Sequence, residues 1–110
     1  LQSLLDDPGF VSIAALDGDR VVGALSGYVL RKFEQERSEV YIFDLGVLDS
    51  HRRRKVATGM IRHLQELAPK LGAWVIYVQA DHGDDPAIQL YESLGAREEV
   101  LHYDIPVIKR

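Results

Sequence analysis

Glu39-Val-Tyr-Ile-Phe-Asp-Leu-Gly-Val-Leu-Asp-Ser-His-Arg-Arg-Arg-Lys-Val-Ala-Thr-Gly-Met-Ile61 is the stretch whose reading decides the fold. Its first part, Val40 to Val47, is rich in β-branched and aromatic residues and reads as a buried strand, whereas Val56, Met60, Leu64, Leu67 and Leu71 recur at helical spacing. Four consecutive basic residues, Arg52 to Lys55, stand between the two. A helix start leaves backbone N–H groups without partners and carries a partial positive charge, so phosphate is its natural ligand. Strand, basic turn and helix in this order point to a phosphate-bearing cofactor.

Upstream, Leu1 to Leu5 reads as the last turn of a helix in a chain that begins without Met, and further sequence before it is expected. Asp6-Asp7-Pro8-Gly9 breaks that helix, Phe10 to Leu16 reads as a strand, and Asp17-Gly18-Asp19 suits a hairpin turn because Gly supplies positive φ. Arg20 to Leu30 is the returning strand, in which Gly23 and Gly27 mark a bulge or a close neighbour. Arg31 to Arg37 is a charged loop. Downstream, the helix runs to about Leu71, loosened by Pro69 and terminated by Gly72. Ala73 to Gln79 is an apolar strand, and a strand after a long helix implies a parallel βαβ crossover covered on both faces. Asp85 as cap and Pro86 as first residue then open a short helix ending at Gly95, and Ala96 to Ile105 reads as a last strand. The expected architecture is a single α/β (α+β) domain over residues 1–110. Antiparallel hairpins come first in its mixed sheet, with a central parallel crossover and flanking helices.

Composition narrows the function. A chain of 110 residues, 46% hydrophobic, holds one core. It has no cysteine, hence no disulfide framework, thiol nucleophile or cysteine metal site. No apolar run is long enough to span a bilayer, and a cytoplasmic protein is expected. A net charge of −4, with 17 acidic residues, disfavours nucleic acid as a partner. One basic turn on an acidic chain suits a polyanion at the turn and a cation elsewhere.

The turn Arg52-Arg53-Arg54-Lys55-Val56-Ala57, followed by the helical Leu90-Tyr91-Glu92-Ser93-Leu94-Gly95 within the order of elements just given, resembles the GNAT superfamily of acetyl-coenzyme A dependent N-acetyltransferases. A narrower resemblance is to the aminoglycoside 3-N-acetyltransferases of the gentamicin-modifying type. It is carried by Phe33-Glu34-Gln35, Arg37-Ser38-Glu39, Tyr41-Ile42, Asp44-Leu45, His51-Arg52-Arg53, Ala57-Thr58, the run from Val75 to Asp81, the run from Gly83 to Ala87, and Arg97-Glu98-Glu99. The family's upstream strand and helices have no counterpart in this sequence. Its turn motif has Gly where this chain has Lys55; a backbone already helical there would tolerate Lys and gain its charge.

The resemblance implies direct acetyl transfer from acetyl-coenzyme A to a bound amine in a ternary complex, which for an aminoglycoside confers antibiotic resistance. It implies backbone contacts to the acetyl and pantetheine parts from Leu45, Gly46 and Val47. It also implies a pyrophosphate site on the turn from Arg52, Arg53, Arg54 and Lys55 through Val56, Ala57 and Thr58. Tyr91 matches the tyrosine that protonates the leaving thiolate, and a core aromatic is the alternative for it. Asp44, an ionisable group in an apolar strand, needs a partner or a cationic ligand, and with Asp81 it is a candidate general base. Glu39, Asp44, Asp81, Asp84 and Asp85 are candidates for binding a cationic aminoglycoside; Asp84 is also a cofactor-side candidate, and Asp85 has a helix cap as its alternative role. His51 and His82 read as surface histidines, and no metal is expected. The rival functions are an acetyltransferase for a polyamine or peptide N-terminus and a non-catalytic acyl-coenzyme A binding module. A homodimer is expected because the end of the chain leaves a sheet edge open.

Overall fold

The computed structural model describes residues 6–32 and 37–109, in two compact units that meet in sequence between Gln79 and Ala80. The helical turn expected at residues 1–5 and the Phe33-Glu34-Gln35 run lie outside the described residues. In the first unit, strands β1 (Phe10–Asp17), β2 (Arg20–Arg31) and β3 (Ser38–Val47) pair antiparallel, and β4 (Ala73–Tyr77) joins β3 in parallel, giving the order β1-β2-β3-β4. The β3 to β4 connection is a 3₁₀ turn (Asp49–His51), helix α1 (Val56–Leu67) and a second 3₁₀ turn (Ala68–Leu71).

The local devices act as the residue types require. Gly18 takes φ 60° between Asp17 and Arg20, which face each other across the tight hairpin. Pro69 falls where α1 tightens into 3₁₀ geometry, and Gly72 at φ 77° returns its N–H to the Ala68 and Pro69 carbonyls. Helix α1 lays Met60, Ile61 and Leu64 on the sheet, against a core of Val22, Leu25, Val40 and Ile42. Leu71, expected on that buried face, is exposed because the 3₁₀ turn changes the phase of the side chains.

Two glycines of β2 are dictated by crowding. A Cβ on Gly23 would meet Met60 and Val56 of α1 at 3.1 Å, and one on Gly27 would stand 2.5 Å from the Tyr41 carbonyl oxygen. Gly27 lies at a register shift where Ser26 faces Asp44 and Gly27 faces Ile42, leaving Phe43 as the extra residue of β3. The bulge corrects the reading of β3 as a buried strand. Val40 and Ile42 are buried, but Phe43 and Asp44 are both exposed, because the extra residue breaks the alternation. The sheet face carrying Phe43 is aromatic: Tyr28 and Tyr41 meet Phe43 edge-on, and Tyr41 stacks on Tyr77 at 4.8 Å.

The second unit contains α2 (Asp85–Leu94). The last strand expected over Ala96 to Ile105 is not formed; residues 96–109 carry no regular structure. Strand-like composition cannot by itself make a strand, which needs a neighbouring backbone to bond with. Val100, Leu101, Tyr103, Ile105, Val107 and Ile108 of this segment are all exposed.

Candidate functional site

The parallel partnership of β3 and β4 is short. It runs from Ser38 opposite Ala73 to Tyr41 opposite Tyr77, while β3 continues to Val47 paired on its other side with β2. From Ile42 onward the edge of β3 turned from β2 has no strand paired to it among the described residues, which leaves its outward backbone groups without ladder partners. Gly46 sits in this opening with nothing within 4 Å of where a Cβ would be. The opening begins at the Tyr41 hydroxyl, which donates to Gln79 Oε1 at 3.1 Å. Glu39 holds Lys32 at 3.8 Å. Burial first, and the Glu39 charge second, push the Tyr77 phenol above its ordinary 10.0.

Asp44 does not need the compensating cation that an apolar strand implied. The bulge puts its side chain in solvent, so no burial penalty has to be offset.

The basic turn is kinked twice. Arg53 (φ 64°) and Lys55 (φ 61°) are both left-handed, with the N-cap of α1 at Lys55. This overturns the expectation that Lys55 is helical: it adopts the conformation that favours glycine, which explains why Gly is usual there. Alternation of left-handed and ordinary residues turns successive N–H groups to one side, as in anion-binding backbone nests. The α1 start has no side-chain cap and no acidic residue in its first turn. The first hydrogen bond of the helix runs from Gly59 N–H to the Lys55 carbonyl, so the N–H groups of Val56, Ala57 and Thr58 precede it. Arg52 is committed locally, with Nε donating to the Val47 carbonyl at 3.3 Å and Nη1 3.0 Å from Asp49. Arg53, Arg54 and Lys55 are exposed and form no ion pair among the described residues. The turn therefore combines unpaired N–H groups with uncommitted cations, and the residues present fit a pyrophosphate.

His51 is not a surface histidine. Its side chain is 12% exposed, with Nε2 2.8 Å from Asp17 Oδ2 and Nδ1 2.8 Å from Ser50 Oγ. The hydrogen bond from His51, and then the charge of a protonated His51, hold the Asp17 carboxyl below its ordinary 3.8. No sequence signal marks this pair, because its members are 34 positions apart and each suits a turn.

In the second unit, Asp84 N–H closes a turn onto the Asp81 carbonyl at 3.2 Å, with Gly83 at φ 90°. The cap of α2 is Asp84, not Asp85: its Oδ1 accepts from Ala87 N–H at 3.4 Å, and Asp85 is the first helical residue. The cap moves back one residue because Pro86, lacking an N–H, is tolerated anywhere in the first turn. Asp81 and Asp85 are exposed. Tyr91 is half-buried, and burial, followed by the Asp84 charge, raises its phenol above 10.0, so it holds its proton at neutral pH. Thus Glu39, Asp44, Leu45, Gly46, Val47 and residues 52–58 fall in the first unit, and Asp81, Asp84, Asp85 and Tyr91 in the second. Among the described residues no group of three His, Asp or Glu side chains is placed to hold a metal ion.

Known proteins are similar to this chain in sequence and fold. A crystallised aminoglycoside acetyltransferase from an uncultured soil metagenomic sample is 55% identical and superposes with a TM-score of 0.93, over 96% of this chain and 71% of its own. A second aminoglycoside acetyltransferase from such a sample, solved in complex with sisomicin, is 30% identical with a TM-score of 0.91 over the same shares. The probable N-acetyltransferase family 8 member 5 of Mus musculus is 26% identical over 95 residues, which are 86% of this chain but only 42% of that protein. The model of the acetyltransferase (GNAT) family matches residues 1–96, and the chain belongs to that family.

Proposed function

We propose that residues 1–110 act as one acetyltransferase domain that moves acetyl from acetyl-coenzyme A to a 3-amino group of a gentamicin-type aminoglycoside. The observation that carries the cofactor half is the uncapped basic turn that follows the part of β3 beyond the end of β4. The acceptor half is supported by the 55% identity to an aminoglycoside acetyltransferase and by the sisomicin complex of the second relative. In this reading the N–H groups of residues 53–58, with Arg53, Arg54 and Lys55, bind pyrophosphate. Leu45, Gly46 and Val47 offer backbone to the pantetheine and acetyl parts.

Bound acetyl-coenzyme A supplies an activated acyl group as a thioester. The acceptor amine must first lose its proton, and a carboxylate, Asp44 before Asp81, Asp84 or Glu39, receives it. Transfer would then join the free amine nitrogen to the acetyl carbon in exchange for the thiolate, the nitrogen's second proton passing to solvent, and the backbone N–H groups of Leu45, Gly46 and Val47 would steady the charge that builds on the acetyl oxygen. Tyr91 passes its phenol proton to the departing thiolate. Asp44, Asp81, Asp84, Asp85 and Glu39 also pair with the acceptor's remaining ammonium groups. The product has one cation fewer, which weakens a drug's hold on RNA and gives resistance. The reading includes cytoplasmic residence and a homodimer, the latter supported by the apolar exposure at residues 100–108.

The decisive assay incubates the protein with acetyl-coenzyme A and gentamicin or sisomicin, and reads the product by mass and the acetylated position by NMR. Acetylation at the 3-amino group is expected. Acetylation of polyamines or peptide N-termini alone would transfer the enzyme to another acceptor class, and coenzyme A binding without product would make it a binding module. Tyr91→Phe is expected to lower kcat at least tenfold, on the order of general-acid effects, with KM little changed. Equal rates would remove Tyr91 from the mechanism.

A further inference from the structure

We infer that Asp17 and His51 are positioning residues for the cofactor turn: their hydrogen bond tethers the turn to the β1–β2 hairpin and holds it in its anion-binding shape. The inference rests on the reading of residues 53–58 as a pyrophosphate site. The turn needs such a hold because two non-glycine residues, Arg53 and Lys55, are kept left-handed within three positions of each other. Conformations of that kind persist only where the surroundings over-determine them.

The other side-chain restraints on the turn are more local. Arg52 reaches only Val47 and Asp49, five and three positions away, and both members of its ion pair are exposed, whereas in the Asp17–His51 pair Asp17 is exposed and the His51 side chain is only 12% exposed. His51 N–H bonds to the Leu48 carbonyl, and Leu48 N–H to the Val22 carbonyl. Among the described residues, His51 alone of the side chains from 49 to 55 is hydrogen-bonded outside its own neighbourhood, to a residue 34 positions away. It is also well shielded, and Ser50 Oγ satisfies its second nitrogen, so the ring has one seat. Asp17 and His51 line an open cleft between β1 and α1 together with Arg54, Lys55 and Val56, on the hairpin side of the turn.

Charge and geometry make opposite predictions here, which allows a clean test. Asp17 is an anion close enough to feel Arg54, so its charge opposes an incoming phosphate while its hydrogen bond prepares the site. Asp17→Asn keeps an acceptor for His51 Nε2–H but removes the charge; Asp17→Ala removes both. Coenzyme A binding is measured by calorimetry, and kinetics are run with acetyl-coenzyme A and with acetyl-pantetheine, which lacks the pyrophosphate. Asp17→Ala is expected to weaken coenzyme A binding about tenfold, the scale of one lost charge-assisted hydrogen bond. The loss should enter through KM for acetyl-coenzyme A, with kcat and the acetyl-pantetheine reaction unchanged, and Asp17→Asn should bind at least as tightly as wild type. Tighter binding by both variants would show that charge alone matters and overturn the inference, as would an equal loss with both donors. Wild-type binding with no change in Asp17→Ala defeats the inference and leaves the cofactor reading standing. Failure of wild type to bind coenzyme A defeats both.

Discussion

Lys55 stands at the N-cap of α1 with φ 61° and ψ 26°, where a side chain crowds its own carbonyl and glycine does not. A left-handed non-glycine residue costs about 1–2 kcal/mol, and glycine gives back about 0.5–1 kcal/mol in lost unfolded-state freedom. Lys55→Gly is therefore expected to stabilise the protein by up to about 1.5 kcal/mol, seen as a rise of a few degrees in Tm. The variant also removes one cation from the turn, so coenzyme A should bind more weakly and with a smaller salt dependence. An unchanged or lowered Tm would mean that the Lys55 side chain makes stabilising contacts that outweigh its backbone strain. Asp84 illustrates the converse, a side chain placed for the backbone's benefit. Its bond to Ala87 N–H is long at 3.4 Å, so Asp84→Ala is expected to destabilise by about 0.5–1 kcal/mol, checked by urea denaturation.

At the scale of elements, the β2–β3 pair is shaped by its bulge. Gly27 is the residue that allows it, since a methyl group would press on the Tyr41 carbonyl at 2.5 Å, a contact with backbone that no rotamer relieves. Gly27→Ala should cost about 1–3 kcal/mol, as overpacking does, with Gly23→Ala milder because Met60 can yield. Chemical denaturation distinguishes the two; equal losses would mean that β2 shifts as a whole. The bulge also governs the candidate site, since it exposes Asp44 and falls within the stretch of β3 that β4 does not flank. The contrast between the two helix starts has a similar local origin. Helix α2 opens on Asp84 and Asp85, which satisfy and complement its N-terminus, whereas α1 opens on Lys55 with neither.

For the whole molecule, the shifted groups set two pH limits. The phenols of Tyr77 and Tyr91 are raised by burial, so the neutral forms favour folding fully below the unfolded value of 10.0, and this contribution is lost as pH climbs through the higher folded values. If Tyr91 is the general acid, the alkaline fall in kcat should lie above pH 10.0 and vanish in Tyr91→Phe; a fall centred below it would indict another group. Asp17 is lowered by His51, so its contribution is present above 3.8 and lost as pH falls through a lower folded value. Much of this molecule was legible in its residue order: the hairpin at Gly18, the basic turn, the helix with its end at Gly72, the parallel crossover, and the crowding at Gly23 and Gly27. These features are set by neighbours within a few positions or by one periodic face, which residue types encode directly. The remainder depended on which segments met. Lys55 proved left-handed, Asp44 exposed, His51 seated on Asp17, and residues 96–109 unpaired despite a strand's composition. Ladder partners, bulge phase and contacts across 34 positions are decided by tertiary structure, because no local preference says which distant backbone or side chain will be there to answer it.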